Sequence, residues 1–154
     1  MNVLILGSGG REHAFAWKIA KSSLCKKLLI APGNAGTEQI GTNIDISVND
    51  FQKIKDLCLK EEIDMLIVGP ETPLVNGISN FFNEDEKLHH ITVIGPSKEG
   101  SQLEGSKEYS KEFMIKYGIP TAAYQSFTKD TLEEGYQFLE TLSAPYVLKA
   151  DGLA

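Results

Sequence analysis

Met1-Asn2-Val3-Leu4-Ile5-Leu6-Gly7-Ser8-Gly9-Gly10-Arg11-Glu12-His13-Ala14 is the stretch whose reading decides the fold. Residues 3–6 form an unbroken apolar run, as expected of a strand buried on both faces of a parallel sheet. The run enters a glycine-rich turn at once. The spacing after it predicts a helix over residues 11–22, with Ala14, Trp17 and Ile19 or Ala20 inward. Gly7, Gly9 and Gly10 carry no Cβ, so the backbone can approach a ligand closely. The helix aims its free N–H groups and the positive end of its dipole at the turn, which makes a ready phosphate site. Arg11 adds a planar fork that fits phosphate in a way lysine does not. It is the single arginine among the chain's 15 lysines and arginines.

The pattern repeats outward from this stretch. Further strands are expected at residues 27–31, 43–46, 64–68 and 91–94. Asn49 or Asp50 caps a helix with Phe51, Ile54, Leu57 and Cys58 inward. Thr72 reads as the N-cap of another, with Pro73 at its first position and Leu74, Ile78, Phe81 and Phe82 on its apolar face. Regular alternation of strand and helix means an α/β fold: a doubly wound, Rossmann-like parallel sheet with right-handed crossovers. Three strands end in glycine- or proline-rich loops, at residues 7–10, 32–37 and 69–71. Ligands bind at that edge of an open α/β sheet, so the loops are expected to converge on one site.

The texture changes after Pro96. Residues 97–103 read as a short helix, and Ser106 caps a longer one with Tyr109, Phe113, Met114 and Tyr117 inward, stopped by Gly118-Ile119-Pro120. A strand is expected around residues 123–127. Asp130 then caps a helix with Glu133 at its third position. A last strand is expected at residues 146–149. The domain boundary falls between residues 96 and 106, giving an N-terminal α/β domain over residues 1–100 and a second domain from 101 to 154. A strand and turn at the very end read as a truncation.

Composition excludes several classes. A net charge of −6 over 154 residues argues against a nucleic-acid partner, which needs a basic face. No apolar run approaches the ~20 residues of a membrane span, and no basic leader precedes the first strand. Cys25 and Cys58 fit neither a zinc pattern nor a redox pair, so both read as reduced thiols of a cytoplasmic protein. Trp17 and the phenylalanines read as core.

An NAD-binding site is the obvious alternative, in an oxidoreductase or a regulatory module. The dinucleotide fingerprint requires a small third residue, and here that position is Glu12. It also requires an acid after the second strand, where this chain has Ala31-Pro32-Gly33. A non-catalytic partner-binding domain is a third possibility.

Six segments together resemble the glycinamide ribonucleotide synthetase family (phosphoribosylamine–glycine ligases) of the ATP-grasp superfamily. They are Gly7 to Ala14, Ala31-Pro32-Gly33-Asn34-Ala35-Gly36-Thr37, Val68-Gly69-Pro70-Glu71-Thr72-Pro73-Leu74-Val75, Gln102-Leu103-Glu104-Gly105-Ser106-Lys107, Ile119-Pro120-Thr121-Ala122 and Leu148-Lys149-Ala150-Asp151-Gly152-Leu153-Ala154. They keep the family's order over the whole chain.

The resemblance implies ATP-dependent ligation of glycine to 5-phosphoribosylamine. ATP phosphorylates the glycine carboxylate, the amine attacks the glycyl phosphate, and glycinamide ribonucleotide, ADP and phosphate result. It further implies that residues 101–154 open an incomplete ATP-grasp domain. Magnesium ligands would then lie beyond residue 154, and the chain alone would lack activity. The partners are small molecules (phosphoribosylamine, glycine and ATP), with no nucleic acid and no membrane, and the protein is expected to be a monomer.

The site residues follow from both readings. Gly9, Gly10 and Arg11 are expected to bind the ribose 5-phosphate end or its neighbourhood. Glu12 is read either as orienting Arg11 or meeting a ribose hydroxyl, or as a first-turn acid facing the helix dipole. His13 reads as a packing residue before a base. Gly33, Asn34, Gly36 and Thr37 form a second substrate loop, and Asn34 tolerates positive φ while offering donor and acceptor. Pro70 and Glu71 close the third, where a carboxylate can hold an amine or a ribose hydroxyl. Lys107, Lys149 and Gly152 are implied by the resemblance to contact ATP.

Overall fold

The computed structural model describes residues 1–152, which divide into two compact units, residues 1–101 and 102–152. The first unit is a five-stranded, all-parallel sheet. Its strands are β1 (Asn2–Gly7), β2 (Lys27–Pro32), β3 (Thr42–Asn43), β4 (Met65–Val68) and β5 (Thr92–Ile94), in the order β3-β2-β1-β4-β5. The register pairs Val3 with Leu28 on one side and Met65 on the other. β1 is therefore central.

The continuous apolar runs are explained by burial on two faces. Leu4, Leu6, Leu29, Ala31, Leu66 and Val68 face one layer. That layer contains α2 (Phe51–Lys60), α3 (Glu71–Val75) and α4 (Ile78–Glu84). Ile54, Leu57 and Cys58 of α2 meet Ile78 and Phe82 of α4 there. Phe51 and Phe81 pack with ring centroids 5.7 Å apart. Val3, Ile5, Leu28 and Ile30 face the other layer, covered by Ala16 and Ile19 of α1 (Gly10–Ile19). Fully burying one such leucine or isoleucine contributes roughly 1.5–3 kcal/mol.

Several local expectations are corrected. α1 turns Ala16 and Glu12 inward, while Ala14 is exposed and Trp17 is 52% exposed, its ring beneath the Lys21 ammonium at 3.3 Å. A cation over the indole face gives Trp17 a partner outside the core. Phe15 is also exposed. The third strand lies one residue earlier than expected and is only two residues long: Ile44 N–H still bonds the Ile30 carbonyl, but Ile46 N–H turns back to the Ile44 carbonyl, and Ile44 and Ile46 pack against the α2 layer. Asp50, not Asn49, caps α2, accepting from Lys53 N–H. The helix after β4 starts at Glu71 behind Pro70, so Thr72 and Pro73 lie inside its first turn. A proline is tolerated there because its missing N–H would have no intrahelical acceptor. Gly77, with φ +93°, then separates α3 from α4. Residues 98–101 form a turn, not a helix.

The second unit contains α5 (Gln102–Gly105), α6 (Lys107–Lys116) and α7 (Leu132–Glu140). Ser106 caps α6, its Oγ accepting from Tyr109 N–H. Gly118, at φ +64°, closes α6 with Gly118 N–H to Ile115 and Ile119 N–H to Met114, the paired bonds of a Schellman ending. Of its expected inward face, Phe113 and Met114 are half-buried, while Tyr109 and Tyr117 are exposed. Residues 123–127 and 146–149 are not strands. Phe127 instead packs on Gly135 and Phe138 of α7. The cap before α7 is Thr128, paired with Thr131 around a 3₁₀ turn; Asp130 lies within that turn.

Candidate active-site cleft

β1 lies between β2 and β4, so the loops after these three strands are neighbours. The chain reverses winding direction between β1 and β4, and an open sheet offers a crevice at that switch point. A cleft of about 480 Å³ opens there. Gly7, Ser8 and Gly9 line it from β1, with Arg11 and Glu12 from the start of α1. Pro70 and Glu71 line it from β4, and Ser47 and Val48 from the segment before α2.

Arg11 spans the crevice. Its Nη2 donates to the Gly69 carbonyl and, at 3.0 Å, to Glu71 Oε1. Its Nε donates to Glu12 Oε1 at 3.2 Å. These pairings raise the guanidinium's pKa, Glu71 contributing most and Glu12 next. Glu71 titrates below the ordinary glutamate range, held there first by its own backbone N–H and then by Arg11. Glu12 is only 4% exposed, and its Oε2 accepts Gly9 N–H at 2.7 Å. One cation against two carboxylates leaves this part of the cleft net negative. That balance suits hydroxyl or amine donors better than a phosphate.

The second loop lines the cleft only through Pro32, at the end of β2, and otherwise braces the first loop. Asn34 Nδ2 donates to the Ser8 carbonyl at 2.9 Å, while Asn34 Oδ1 accepts from Gly36 and Thr37 N–H. Thr37 is fully buried, and its hydroxyl bonds Asn34 and Asn43. Gly33 N–H donates to the Gly7 carbonyl at 3.1 Å. Gly33 has φ +74°, and a Cβ there would overlap the Asn43 side chain. His13 packs its ring against Gly36, leaving no room for a Cβ. Gly10 begins α1 and does not line the cleft.

Sequence reasoning missed Ser47, Val48, Ser8 and Asn43. Only Asn43 left a trace, as a polar residue where a strand was expected.

In the second unit, the Asp151 carboxylate sits at the start of α6. It accepts from Lys107 N–H at 2.6 Å, Glu108 N–H at 3.2 Å and Ser106 Oγ at 3.1 Å. Lys107 Nζ donates to the Gly152 carbonyl. Lys149 is exposed two residues before Asp151. Lys107 and Gly152 are thus brought together, with Asp151 as an unanticipated third member. Among the described residues, no three or more His, Cys, Asp or Glu side chains are grouped to hold a metal ion. Burial pushes the Cys58 thiol up to about 12, so it is no nucleophile.

Comparison with known proteins gives this geometry a family. Residues 1–104 match the phosphoribosylglycinamide synthetase N domain, and residues 105–154 match the ATP-grasp (A) domain of phosphoribosylglycinamide synthetase. The phosphoribosylamine–glycine ligase of Pasteurella multocida is 46% identical over 156 residues, covering all of this chain and 35% of that protein. The ligase of Escherichia coli (strain K12) is also 46% identical, with the same coverage. The chain therefore spans about a third of the length of the curated relatives it matches.

Among solved structures, the phosphoribosylamine–glycine ligase of Thermotoga maritima superposes with a TM-score of 0.68 at 38% identity, over 99% of this chain and 34% of that one. N5-carboxyaminoimidazole ribonucleotide synthetase of the same organism gives a TM-score of 0.61 at 21% identity, a likeness of fold. The chain belongs to the phosphoribosylglycinamide synthetase family, carrying its N domain followed by sequence of its ATP-grasp domain.

Proposed function

We propose that the protein ligates glycine to 5-phosphoribosylamine with ATP, and that residues 1–101 supply the phosphoribosylamine cleft. The observation that carries the reading is Arg11 spanning the switch-point crevice between Gly69, Glu71 and Glu12. It is a preorganised polar wall at the edge where α/β sheets bind ligands. Glu71 stays ionised and accepts hydrogen bonds from the ribose hydroxyls or the amine. Arg11 holds Glu71 in place and presents its remaining N–H groups to the sugar. Gly9 and Pro70 shape the backbone around the ligand, and Gly10 opens α1 behind them. Glu12, Gly33, Asn34, Gly36 and Thr37 position those groups from behind.

The site's net negative character favours the sugar-amine end here over the 5-phosphate. The amine is thereby aimed at the activated carboxyl of glycine, and positioning supplies most of the rate. Lys107, Lys149 and Gly152 contribute to the ATP side. ATP brings the phosphoryl group that activates the carboxylate, and magnesium neutralises its charge. The chain alone is expected to have no ligase activity, to be a cytoplasmic monomer and to bind neither nucleic acid nor membrane. No described helix is long and apolar enough to cross a membrane.

The test is an amide-NMR titration with glycinamide ribonucleotide and, separately, NAD. Shifts at Gly9, Arg11, Ser47 and Glu71 with the ribonucleotide alone support the reading. Shifts with NAD and none with the ribonucleotide overturn it in favour of an oxidoreductase-type module.

A further inference from the structure

Glu12 occupies the position where a dinucleotide loop requires a residue without bulk. Its side chain turns back over the loop that precedes it, and three glycines make room. A Cβ at Gly7 would lie 2.5 Å from Glu12 Cγ, and one at Gly9 would lie 2.9 Å from Oε2. One at Gly69, on the neighbouring strand's loop, would overlap Oε1. The buried carboxylate takes the Gly9 N–H at 2.7 Å and the Arg11 Nε at 3.2 Å. These are the amide and the cation that an incoming phosphate would use. A pyrophosphate would have to displace this carboxylate or lie against its charge.

We propose that Glu12 is a specificity-determining residue: an internal anion that closes the glycine loop to pyrophosphate-bearing ligands, dinucleotides above all. The proposal stands apart from the ligase reading, since it concerns what the loop refuses and not what the cleft accepts. It also gives the three glycines a shared purpose. They accommodate the chain's own carboxylate where a dinucleotide loop accommodates a ligand's phosphates.

The experiment titrates the 154-residue chain with inorganic pyrophosphate at fixed ionic strength, following the amides of Gly9 and Gly10. The unsubstituted protein is expected to bind weakly, its Gly9 and Gly10 shifts still far from saturation at millimolar pyrophosphate. Glu12→Ala frees the amide and removes the charge. It is expected to bind about tenfold more tightly, the worth of one charge-assisted hydrogen bond. Glu12→Gln keeps the shape but not the charge, and is expected to gain about threefold, since like-charge repulsion alone is relieved. Saturation of Gly9 and Gly10 by millimolar pyrophosphate in the unsubstituted protein, or a folded Glu12→Ala with no gain, overturns the proposal. Should Glu12→Ala fail to fold, Glu12→Gln decides, and an affinity equal to that of the unsubstituted protein overturns it.

Discussion

Arg11 ties two loops together through bonds to Gly69, Glu71 and Glu12, and its partner Glu71 gives that tie a pH signature. A carboxyl depressed in the folded state contributes stability that is complete above the ordinary glutamate pKa. The contribution is lost as pH falls through the lower folded value. Carboxyl-carbon NMR should therefore show Glu71 titrating below the exposed glutamates. In Arg11→Ala it should return only part of the way, because its own backbone N–H, the larger cause, remains. Full return would mean Arg11 is the main cause, and no movement would mean the ion pair does not form in solution.

Gly69 offers a second residue-scale prediction. Gly69→Ala forces a methyl into Glu12 and should cost roughly 1–3 kcal/mol by urea denaturation, as overpacking does. In a Glu12→Ala background the same change should cost much less, because the two sites share one space. Arg11 and Glu71 were legible in the sequence because each follows a glycine turn at a strand's carboxyl end. The full engagement of Asn34 was not, because its partner Ser8 is 26 residues away in sequence and only the folded loops bring them together. Ser47 and Val48 lie in a segment with no periodicity to read.

At the scale of elements, α6 has the most separable ending. A Cβ at Gly118 would meet nothing within 4 Å. The cost of Gly118→Ala is then purely that of a left-handed backbone, about 1 kcal/mol. Gly118→Asn should cost less, since asparagine tolerates that conformation. Equal losses of helicity in thermal melts of the two variants would refute this account. β1, β2 and β4 were legible because each is a largely buried apolar run between turn formers; β3, two polar residues at the sheet's edge, was misplaced. The expected strands at residues 123–127 and 146–149 rested on apolar content alone. No neighbouring strand pairs with them among the described residues, and Phe127 finds its burial against α7. The start of α3 was misplaced because Thr72-Pro73 matches a capping signal, while the backbone had already turned at Pro70.

Across the molecule, burial is unevenly shared. The sheet and its helices hold the buried hydrophobic side chains, whereas Gly135 is the one buried residue among the described residues of the second unit. Ile115, Leu132, Val147 and Leu148 are all more than half exposed. Residues 1–101 made alone should therefore fold, giving an NMR spectrum that overlays the same residues in the longer chain. A collapsed spectrum would show that the second unit is required.

The strand order carries one more consequence, for synthesis. β1 is made before β4, yet it lies at the centre of the sheet and pairs with β4 about sixty residues later. At the ~5–20 residues per second of translation, this buried apolar strand waits several seconds with one edge open. Parallel pairing of this range is slow to form and exposed to aggregation meanwhile. The nascent chain, and not the finished fold, is where this protein is most in need of a chaperone.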